Sequence, residues 1–181
     1  MRKTNLEKPE ISFVPVDAKN AHTYITVGIQ SYTEHYLHLW ENSDPTPFIR
    51  EFLTIEVLLK ELKRPDSFFY IIYNASQEVG ILNFTLDKVN PYFPDTETLL
   101  LNKLYLIRSA ANKGIGSTSL EFTETFARTY AKQVVWLYTM KKGKPKEFYR
   151  ANGYKTIAEA EITLARVLKE EKAMWVMAKV L

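Results

Sequence analysis

The segment Asn112-Lys113-Gly114-Ile115-Gly116-Ser117 contains residue types suited to binding a phosphate group. It follows an apolar stretch at residues 99–107 and precedes a segment that is predicted to be helical to about Tyr130. Its two glycines let a phosphate approach the backbone closely, and the first amides of a helix are unpaired donors at the positive end of the helix dipole. The spacing therefore predicts an anion-binding loop, to which Lys113 adds positive charge.

A second candidate anion site is the run Lys141-Lys142-Gly143-Lys144-Pro145-Lys146. It follows a predicted strand at residues 133–139, so we expect it on the same carboxyl-end side of the sheet as the glycine-containing loop. Lys142 or Lys144 is the candidate for neutralising a phosphate there. The alternative is an ordinary solvated loop. The run lacks the interleaved aromatic residues that would favour stacking on nucleic-acid bases.

The composition narrows the class of protein. A chain of 181 residues with 46% hydrophobic and 13% aromatic residues can bury a core of its own. We expect residues 1–10 to be an N-terminal extension and residues 11–181 to form a single domain. The absence of cysteine excludes disulfides, thiolate metal sites and a cysteine nucleophile. Because the three histidines show no ligand spacing, we expect no metal site.

Charge and hydropathy argue against two kinds of partner. The formal net charge of +3 does not by itself indicate a nucleic-acid-binding protein. The longest apolar runs are far shorter than the ~20 residues that a membrane-spanning helix needs. The start, Met1-Arg2-Lys3-Thr4-Asn5, leads into no apolar targeting segment. We therefore expect a soluble, cytoplasmic protein that binds neither nucleic acid nor membrane.

Hydrophobic periodicity and turn residues predict an alternation of strands and helices. Strands are predicted at residues 11–16, 68–73, 79–86, 99–107, 133–139, 154–157 and 174–180. Helices are predicted at residues 17 to about 30 or further, 54–62, 115–130 and 146–152. Asp17 and Thr54 are the expected N-caps, and the proline-containing segment 43–47 is expected to break the backbone. The resulting order is β-α-α-β-β-β-α-β-α-β-β.

This order, together with two sequence blocks, resembles the acyl-CoA-binding half of the GNAT superfamily of N-acetyltransferases. The blocks are Leu104-Tyr105-Leu106 with the loop Ala111-Asn112-Lys113-Gly114-Ile115-Gly116, and Phe148-Tyr149-Arg150-Ala151-Asn152-Gly153-Tyr154. The resemblance covers residues 101–157. Two residues depart from the family pattern: Ala111 stands where the family prefers Gln or Arg, and Lys144 stands where an Asn commonly precedes the Phe-Tyr helix.

The resemblance implies a fold, a cosubstrate and a set of binding residues. The fold is α/β, with a mixed, mostly antiparallel central sheet of six to seven strands flanked by helices. The cosubstrate is acetyl-CoA, whose pantetheine amides would pair with the strand edge while its pyrophosphate binds the loop and a lysine of the second run meets the 3′-phosphate. The candidate cofactor-binding residues are Leu104, Tyr105, Leu106, Ala111, Asn112, Lys113, Gly114, Ile115, Gly116, Lys142 and Lys144.

Tyr149 is the general acid that the resemblance implies, protonating the departing CoA thiolate. The chemistry is reasonable because a phenol, with a reference pKa of ~10, can transfer a proton to a thiolate whose conjugate acid has a pKa of ~8.5. The alternative is a core tyrosine on an amphipathic helix. A backbone N–H near Leu106 is implied as the donor that polarises the thioester carbonyl.

A general base is not evident from the sequence. Many members of the family place a Glu on the central strand, whereas here the positions that alternate with Leu104 and Leu106 are Leu100 and Asn102. Asn102 is therefore a candidate catalytic residue that orients a water, or else a hydrogen-bonded polar residue in the cleft. The other candidate relays are Glu34, His35 and His38.

Three functions compete. The first is an acyltransferase that moves an acetyl group from acetyl-CoA to a primary amine by direct attack in a ternary complex. The resemblance of residues 101–106 to bacterial polyamine-type members favours a small-molecule amine. The second is a catalytically weak acyl-CoA-binding or regulatory module on the same fold. The third, a dinucleotide-binding domain, fits poorly because Ser119 stands where a third glycine is expected.

Aromatic residues elsewhere allow two interpretations. Tyr32, Tyr36, Trp40 and Phe48 recur at near-helical intervals, so they either line an acceptor cleft or pack in the core. Aromatic surface around the final strands, including Trp175, would allow a homodimer.

Overall fold

A seven-stranded sheet forms the centre of the molecule, with helices flanking it. The computed structural model describes residues 10–94 and 97–181. The strands are β1 (Ile11–Pro15), β2 (Ser67–Asn74), β3 (Gln77–Leu86), β4 (Thr98–Leu106), β5 (Val134–Met140), β6 (Lys155–Glu161) and β7 (Ala173–Val180). The helices are α1 (Ala21–Tyr36), α2 (Thr46–Phe52), α3 (Ile55–Glu61), α4 (Ile115–Thr129) and α5 (Pro145–Ala151).

The sheet has the strand order β1-β2-β3-β4-β5-β7-β6, and β4 and β5 are its one parallel pair. This mixed, mostly antiparallel sheet confirms the predicted fold class. The predicted extension at residues 1–10 lies outside the described residues except for Glu10. The assignment of residues 11–181 to a single domain stays a prediction.

Two of the helix predictions are wrong. The backbone does break in the segment 43–47, since Ser43 has a positive φ value and Asp44 is extended, but helix α2, which begins at Thr46, was not predicted. Pro47 lies in the first turn of α2, where a helix does not need the missing amide hydrogen. Helix α1 begins at Ala21 and not next to Asp17. The Asp17 carboxylate accepts hydrogen bonds of 2.7 and 3.2 Å from the amides two and three residues later, so it stabilises a turn ahead of the helix. The described residues therefore contain one α-helix more than predicted.

A β-bulge interrupts the alternation of side chains along β4. Lys103 pairs with Asn83 of β3, but the next residue of β3, Phe84, pairs with Leu101, which leaves Asn102 as the extra residue. The side chains before and after the bulge that share one core cluster are Leu99, Leu101, Leu104 and Leu106.

The bulge overturns one prediction about the central strand. Leu100 packs with Trp136 in a different cluster from Leu104 and Leu106. The prediction that Leu100 and Asn102 share a face with those two leucines is therefore wrong. The physical reason is the inserted residue, which moves every later side chain of β4 to the opposite face.

The parallel strands β4 and β5 separate halfway along their length. They pair from Thr98 opposite Val134 to Leu101 opposite Leu137, and the bulge follows directly. Bulges bend a strand and increase its twist, so β4 turns away while β5 continues to pair with β7 as far as Met140. The backbone of residues 104–106 consequently has a strand partner on the β3 side only.

The two faces of the sheet carry separate cores. Helix α4 covers one core with Ile115 and Leu120, each 1% exposed. Helix α1 covers the other with Tyr24 and Tyr32, and the aromatic side chains of α2 pack beside it. Among the described residues, no helix combines the length and the apolar character needed to cross a membrane.

Two lysine side chains lie over the ring of Trp175 on β7. The Nζ atoms of Lys141 and Lys146 lie 4.2 and 4.1 Å from the centroid of its ring. Each cation faces the π-system of the indole, an arrangement that stabilises both partners. The surface on which the expectation of a homodimer rests is therefore covered in part by two positive charges.

Lys103 provides a test of this packing through the pH dependence of stability. Burial against α2, where its Nζ lies 5.3 Å from the ring centroid of Phe52, lowers the pKa of Lys103 to about 8. An unfolded lysine titrates at ~10.4, so between the two values the unfolded state binds more protons and the free energy of unfolding rises with pH. Between pH 7.5 and pH 9.5 we expect Lys103 to increase the free energy of unfolding by roughly 1–2 kcal/mol.

Denaturant unfolding of wild type and of Lys103→Met at several pH values measures this contribution. The difference between the two free energies of unfolding should change across the window, because only the wild type has the titrating ammonium. Lys155→Met, at an exposed position on β6, is the matched control and should follow the wild type. Parallel pH curves for wild type and Lys103→Met would contradict the assignment.

Candidate active site

The predicted anion-binding loop has the backbone conformation that such a loop requires. Asn112 and Gly114 have positive φ values of 59° and 80°, and Gly114 is the N-cap of α4. Its carbonyl accepts the first helical hydrogen bond, from the amide of Thr118 at 3.0 Å. The first-turn amides of Ile115, Gly116 and Ser117 lie ahead of that bond and have no intrahelical acceptor. They form a set of donors at the positive end of the helix dipole.

Gly116 is needed for a different reason from Gly114. A Cβ atom at position 116 would lie 2.9 Å from Cζ of Phe148, which is closer than two carbon atoms can pack. At position 114 a Cβ would meet no atom within 4 Å, and the left-handed backbone is the constraint there. The backbone of the loop at Gly116 therefore packs directly against the ring of Phe148 on α5.

The free edge of β4 presents backbone groups to the gap beside β5. The amide of Ile107 donates to the carbonyl of Val79 at 2.9 Å, so in the alternation of a strand Leu104 and Leu106 direct their amide and carbonyl groups away from β3. The Leu106 carbonyl accepts a hydrogen bond from Nε2 of His35, at 3.1 Å. Because a carbonyl can only accept, Nε2 carries the proton in this bond.

A cavity of about 530 Å³, the loop cavity, joins the loop, the free edge and α5. Eight of the predicted cofactor-binding residues line it, namely Leu104, Tyr105, Leu106, Ala111, Asn112, Gly114, Gly116 and Lys144. Sequence reasoning did not assign Ser117 and Phe148 to this cavity, although both stand within the blocks that carried the resemblance.

Three of the predicted cofactor-binding side chains do not line the loop cavity. Lys113 is exposed, and the side chain of Ile115 is buried in the core with 1% exposure. Lys142 donates to the Glu171 carboxylate at 2.7 Å and lines a smaller neighbouring cavity with His38. Of the two lysines considered for the 3′-phosphate, the structure brings Lys144 to the loop cavity and not Lys142.

A second cavity of about 530 Å³, the aromatic cavity, lies between the α1–α2 region and the strands β5 to β7. Its wall includes the four aromatic residues whose role the sequence left open, Tyr32, Tyr36, Trp40 and Phe48. They pack on one another as well, with the rings of Tyr32 and Phe48 stacked at a centroid distance of 3.9 Å. The two interpretations of these residues are therefore compatible.

Tyr149 lines both cavities and stands where they meet. Helix α5, which begins with Pro145 and carries Tyr149 in its second turn, positions the phenol. Burial, and to a lesser extent the neighbouring phenol of Tyr36, raise the pKa of Tyr149 above its ordinary value. At neutral pH the Tyr149 hydroxyl therefore keeps its proton and can donate it.

Asn102 lines the aromatic cavity from the bulge of β4. Its Nδ2 atom donates to Oγ1 of Thr85 at 2.8 Å, which holds the carboxamide in place. Since the amide nitrogen is engaged, the carboxamide oxygen is the part of Asn102 that can accept a hydrogen bond from a water.

The three candidate relays have different surroundings. Glu34 accepts a hydrogen bond from the amide of Arg108 at 2.5 Å, which lowers the pKa of its carboxyl, and it lines neither of the two large cavities. It tethers α1 to the turn after β4. His35 lines the loop cavity, and His38 lines the smaller cavity beside Lys142.

The carboxylates that line the two large cavities, within the described ranges, are Glu51 and Glu161. Both are exposed side chains on the aromatic cavity, one from α2 and one from the end of β6. Sequence reasoning missed both, because α2 was not predicted and because 110 positions of sequence separate them.

Comparison with known proteins places this arrangement among acetyltransferases. The chain is 24% identical over 150 residues to an uncharacterised N-acetyltransferase encoded in the pepI 3′ region of Lactobacillus delbrueckii subsp. lactis, covering 82% of this chain and 87% of that one. The fold resembles the PaiA N-acetyltransferase of Thermoplasma acidophilum, solved in complex with coenzyme A, with a TM-score of 0.74 and 21% identity over 95% of this chain and 99% of that one.

A GNAT-family acetyltransferase of Streptococcus pneumoniae has the same fold, with a TM-score of 0.67 and 16% identity over 95% of this chain and 100% of that one. These likenesses establish the fold. The family itself follows from the family model described as the acetyltransferase (GNAT) family, which matches residues 29–154 and so spans more than half of the chain. The chain therefore belongs to the GNAT family of N-acetyltransferases, whose acyl donor is acetyl-CoA.

Proposed function

We propose that this protein transfers the acetyl group of acetyl-CoA to the primary amine of a small molecule, by direct attack while both substrates are bound. The observation that carries the proposal is that the two large cavities meet at a half-buried phenol, Tyr149 of α5, which lines both of them together with Tyr36 and Tyr105. One cavity has donors for a phosphorylated acyl carrier, and the other has carboxylates and aromatic rings for a cation. A proton donor at the junction of the two cavities suits a transfer from one occupant to the other.

The residues of the loop cavity fit acetyl-CoA. The first-turn amides of α4 would hold the pyrophosphate. Because the Phe148 ring leaves no room for a side chain at Gly116, the backbone there stays open to the approaching phosphate. The amide and carbonyl groups of Leu104 and Leu106 would pair with the two amides of the pantetheine arm, as a further strand would. Lys144 supplies the positive charge that a 3′-phosphate would need.

Bound acetyl-CoA supplies an activated acetyl group and a thiolate leaving group. In the proposed step the amine nitrogen bonds to the acetyl carbon, the carbon–sulfur bond breaks, and the Tyr149 hydroxyl gives its proton to the sulfur. Because burial raises the pKa of Tyr149, the phenol holds this proton until negative charge develops beside it. A backbone amide of the free β4 edge near Leu106 would polarise the thioester carbonyl.

The ammonium group must lose one proton to solvent before it attacks. Once the nitrogen–carbon bond has formed, the nitrogen loses a second proton, which restores the hydroxyl of Tyr149. Asn102 is the candidate for orienting a water that accepts the first proton, through the carboxamide oxygen left free by the bond to Thr85. The two carboxylates of the aromatic cavity, Glu51 and Glu161, are exposed, so they suit attraction of the ammonium better than removal of a proton inside the site.

One observation favours a second candidate function, a catalytically weak acyl-CoA-binding or regulatory module. Neither large cavity is lined by a buried carboxylate among the described residues, so neither has an obvious strong base. A single measurement distinguishes the two functions. In both cases the protein binds acetyl-CoA, and acetyl-CoA at 100 times its dissociation constant raises the free energy of unfolding by ~2.7 kcal/mol and with it the unfolding temperature. The enzyme alone releases free thiol when an amine is added.

Replacement of Lys144 tests the phosphate assignment. We expect Lys144→Ala to weaken binding of acetyl-CoA by about tenfold and to leave binding of dephospho-acetyl-CoA unchanged, because a charge-assisted hydrogen bond contributes ~1.5 kcal/mol or more. Calorimetric titration of both ligands measures this. Lys142→Ala is the matched control and should retain both affinities, since that lysine pairs with Glu171. An equal loss for both ligands in Lys144→Ala would reject the 3′-phosphate contact.

Replacement of Tyr149 tests the proton donor. We expect Tyr149→Phe to lower kcat about 100-fold, a usual contribution of general acid catalysis, while the dissociation constant of acetyl-CoA stays the same. Thiol release against a panel of amines, with mass detection of the acetylated product, measures kcat.

The matched control for that experiment is Tyr154→Phe. The Tyr154 ring lies 5.8 Å from that of Tyr149 but lines neither cavity, so its hydroxyl should be dispensable for turnover. If Tyr149→Phe turns over every accepted amine as fast as the wild type, Tyr149 is not the donor. If the wild type binds acetyl-CoA but releases thiol with no amine, the second candidate function is correct.

A further inference from the structure

The aromatic cavity carries information about the acceptor beyond its being an amine. The charged side chains that line it, in the part of the chain that the structure describes, are Glu51 and Glu161, and no lysine or arginine accompanies them. An acceptor with its own carboxylate would find no cationic partner there, and burying an unpaired carboxylate is strongly unfavourable. The charge pattern therefore selects cations and rejects amino acids.

The walls of the cavity determine the body of the acceptor. One wall is aromatic, with Tyr32 and Trp40 exposed by only 4% and 2%, and the other contains the aliphatic side chains of Ile162 and Leu164. Within the aromatic wall, Nε1 of Trp40 donates to the hydroxyl of Tyr32 at 3.1 Å, so these two polar groups are paired with each other. The rings of this wall offer flat apolar faces on which an aromatic or branched-alkyl body can pack.

The position of the proton donor orients that molecule. Tyr149 marks the end of the cavity that adjoins the loop cavity, so the reacting nitrogen must lie at that end. The body of the acceptor then extends between Phe48 on one side and the aliphatic wall on the other. The exposed carboxylates of Glu51 and Glu161 attract the ammonium group as it enters, and the apolar walls offer a second ammonium group no buried anion.

We propose that the acceptor is a monoamine with an aromatic or branched-alkyl body and no carboxylate, that is, an arylalkylamine or a close apolar analogue. This inference rests on the proposed function, because it takes the aromatic cavity as the acceptor site. It rejects amino acids because the described lining holds no lysine or arginine, and it ranks diamines below monoamines because the carboxylates of the lining are exposed and leave a second ammonium group without a buried anion.

Three amines that differ in one feature at a time test the proposal. 2-Phenylethylamine is the probe, phenylalanine adds a carboxylate to it, and 1,4-diaminobutane replaces the ring by a second ammonium group. We expect kcat/KM for 2-phenylethylamine to exceed that for phenylalanine by at least about 100-fold and that for the diamine by at least about tenfold. A higher kcat/KM for phenylalanine or for 1,4-diaminobutane than for 2-phenylethylamine would overturn the inference.

A cavity variant provides a second test with a built-in control. Phe48→Ala removes a ring that stacks on Tyr32, and it should raise KM for 2-phenylethylamine by about tenfold, the usual effect of losing an aromatic contact. Ethylamine lacks the body that would contact this wall, so its kcat/KM should fall much less than that of 2-phenylethylamine, and retained turnover of ethylamine shows that the variant is folded. Equal loss for both amines would contradict the assignment of the wall.

Binding of 2-phenylethylamine to the CoA-saturated protein, measured by calorimetry, separates the two possible failures. If no amine is acetylated but 2-phenylethylamine binds and Phe48→Ala weakens its binding about tenfold, the proposed function is wrong and the inference about the cavity survives. If other amines are acetylated and 2-phenylethylamine does not bind, the inference is wrong and the proposed function survives.

Discussion

The separation of β4 from β5 is the constraint on which the rest of the site depends. The two strands are parallel neighbours only as far as Leu101, and the bulge at Asn102 follows at once. An inserted residue bends its strand. The carboxyl-terminal half of β4 therefore keeps its hydrogen bonds to β3 but makes none to β5. That exposes the backbone of Leu104 and Leu106 and opens the space in which the two cavities meet. Without the bulge, β5 would occupy this edge and the site would be closed.

A second constraint connects the loop to α5. Gly116 has no room for a side chain because the Phe148 ring packs against its backbone. The helix that carries Phe148 also carries Tyr149, so the contact that holds the loop and α5 together also holds the phenol at the junction of the cavities. The proposed binding of the acyl carrier and the proposed donation of a proton therefore depend on one packing arrangement rather than on two independent ones.

Three half-buried tyrosines line both large cavities of the candidate site. Burial raises the pKa of Tyr36, of Tyr105 and of Tyr149, so all three phenols stay neutral at physiological pH. In such surroundings a hydroxyl can stabilise or protonate a nascent anion without carrying charge itself. The carboxylates stay at the exposed part of the aromatic cavity, where they attract cations without placing a buried negative charge beside the leaving thiolate.

Local signals in the sequence were sufficient to predict the glycine-containing turn before α4 and to predict α5. The positive φ of Gly114 and the close contact at Gly116 are properties that glycine alone satisfies well, and Pro145 suits the first position of a helix. The strands were predicted because their apolar residues alternate or run continuously. Pro47 misled the prediction of α2, because a proline in a helical first turn has the same local signature as one that breaks the backbone.

Residues within a few positions of one another were enough to predict the strands, the helices other than α2 and the glycine-containing turn before α4. Which side chains meet depends instead on long-range packing. The bulge reversed the expected direction of Leu100, the ion pair with Glu171 drew Lys142 away and left Lys144 at the loop cavity, and Glu51 came to line the same cavity as Glu161. Each of these results depends on contacts between distant parts of the chain, which periodicity and spacing do not encode.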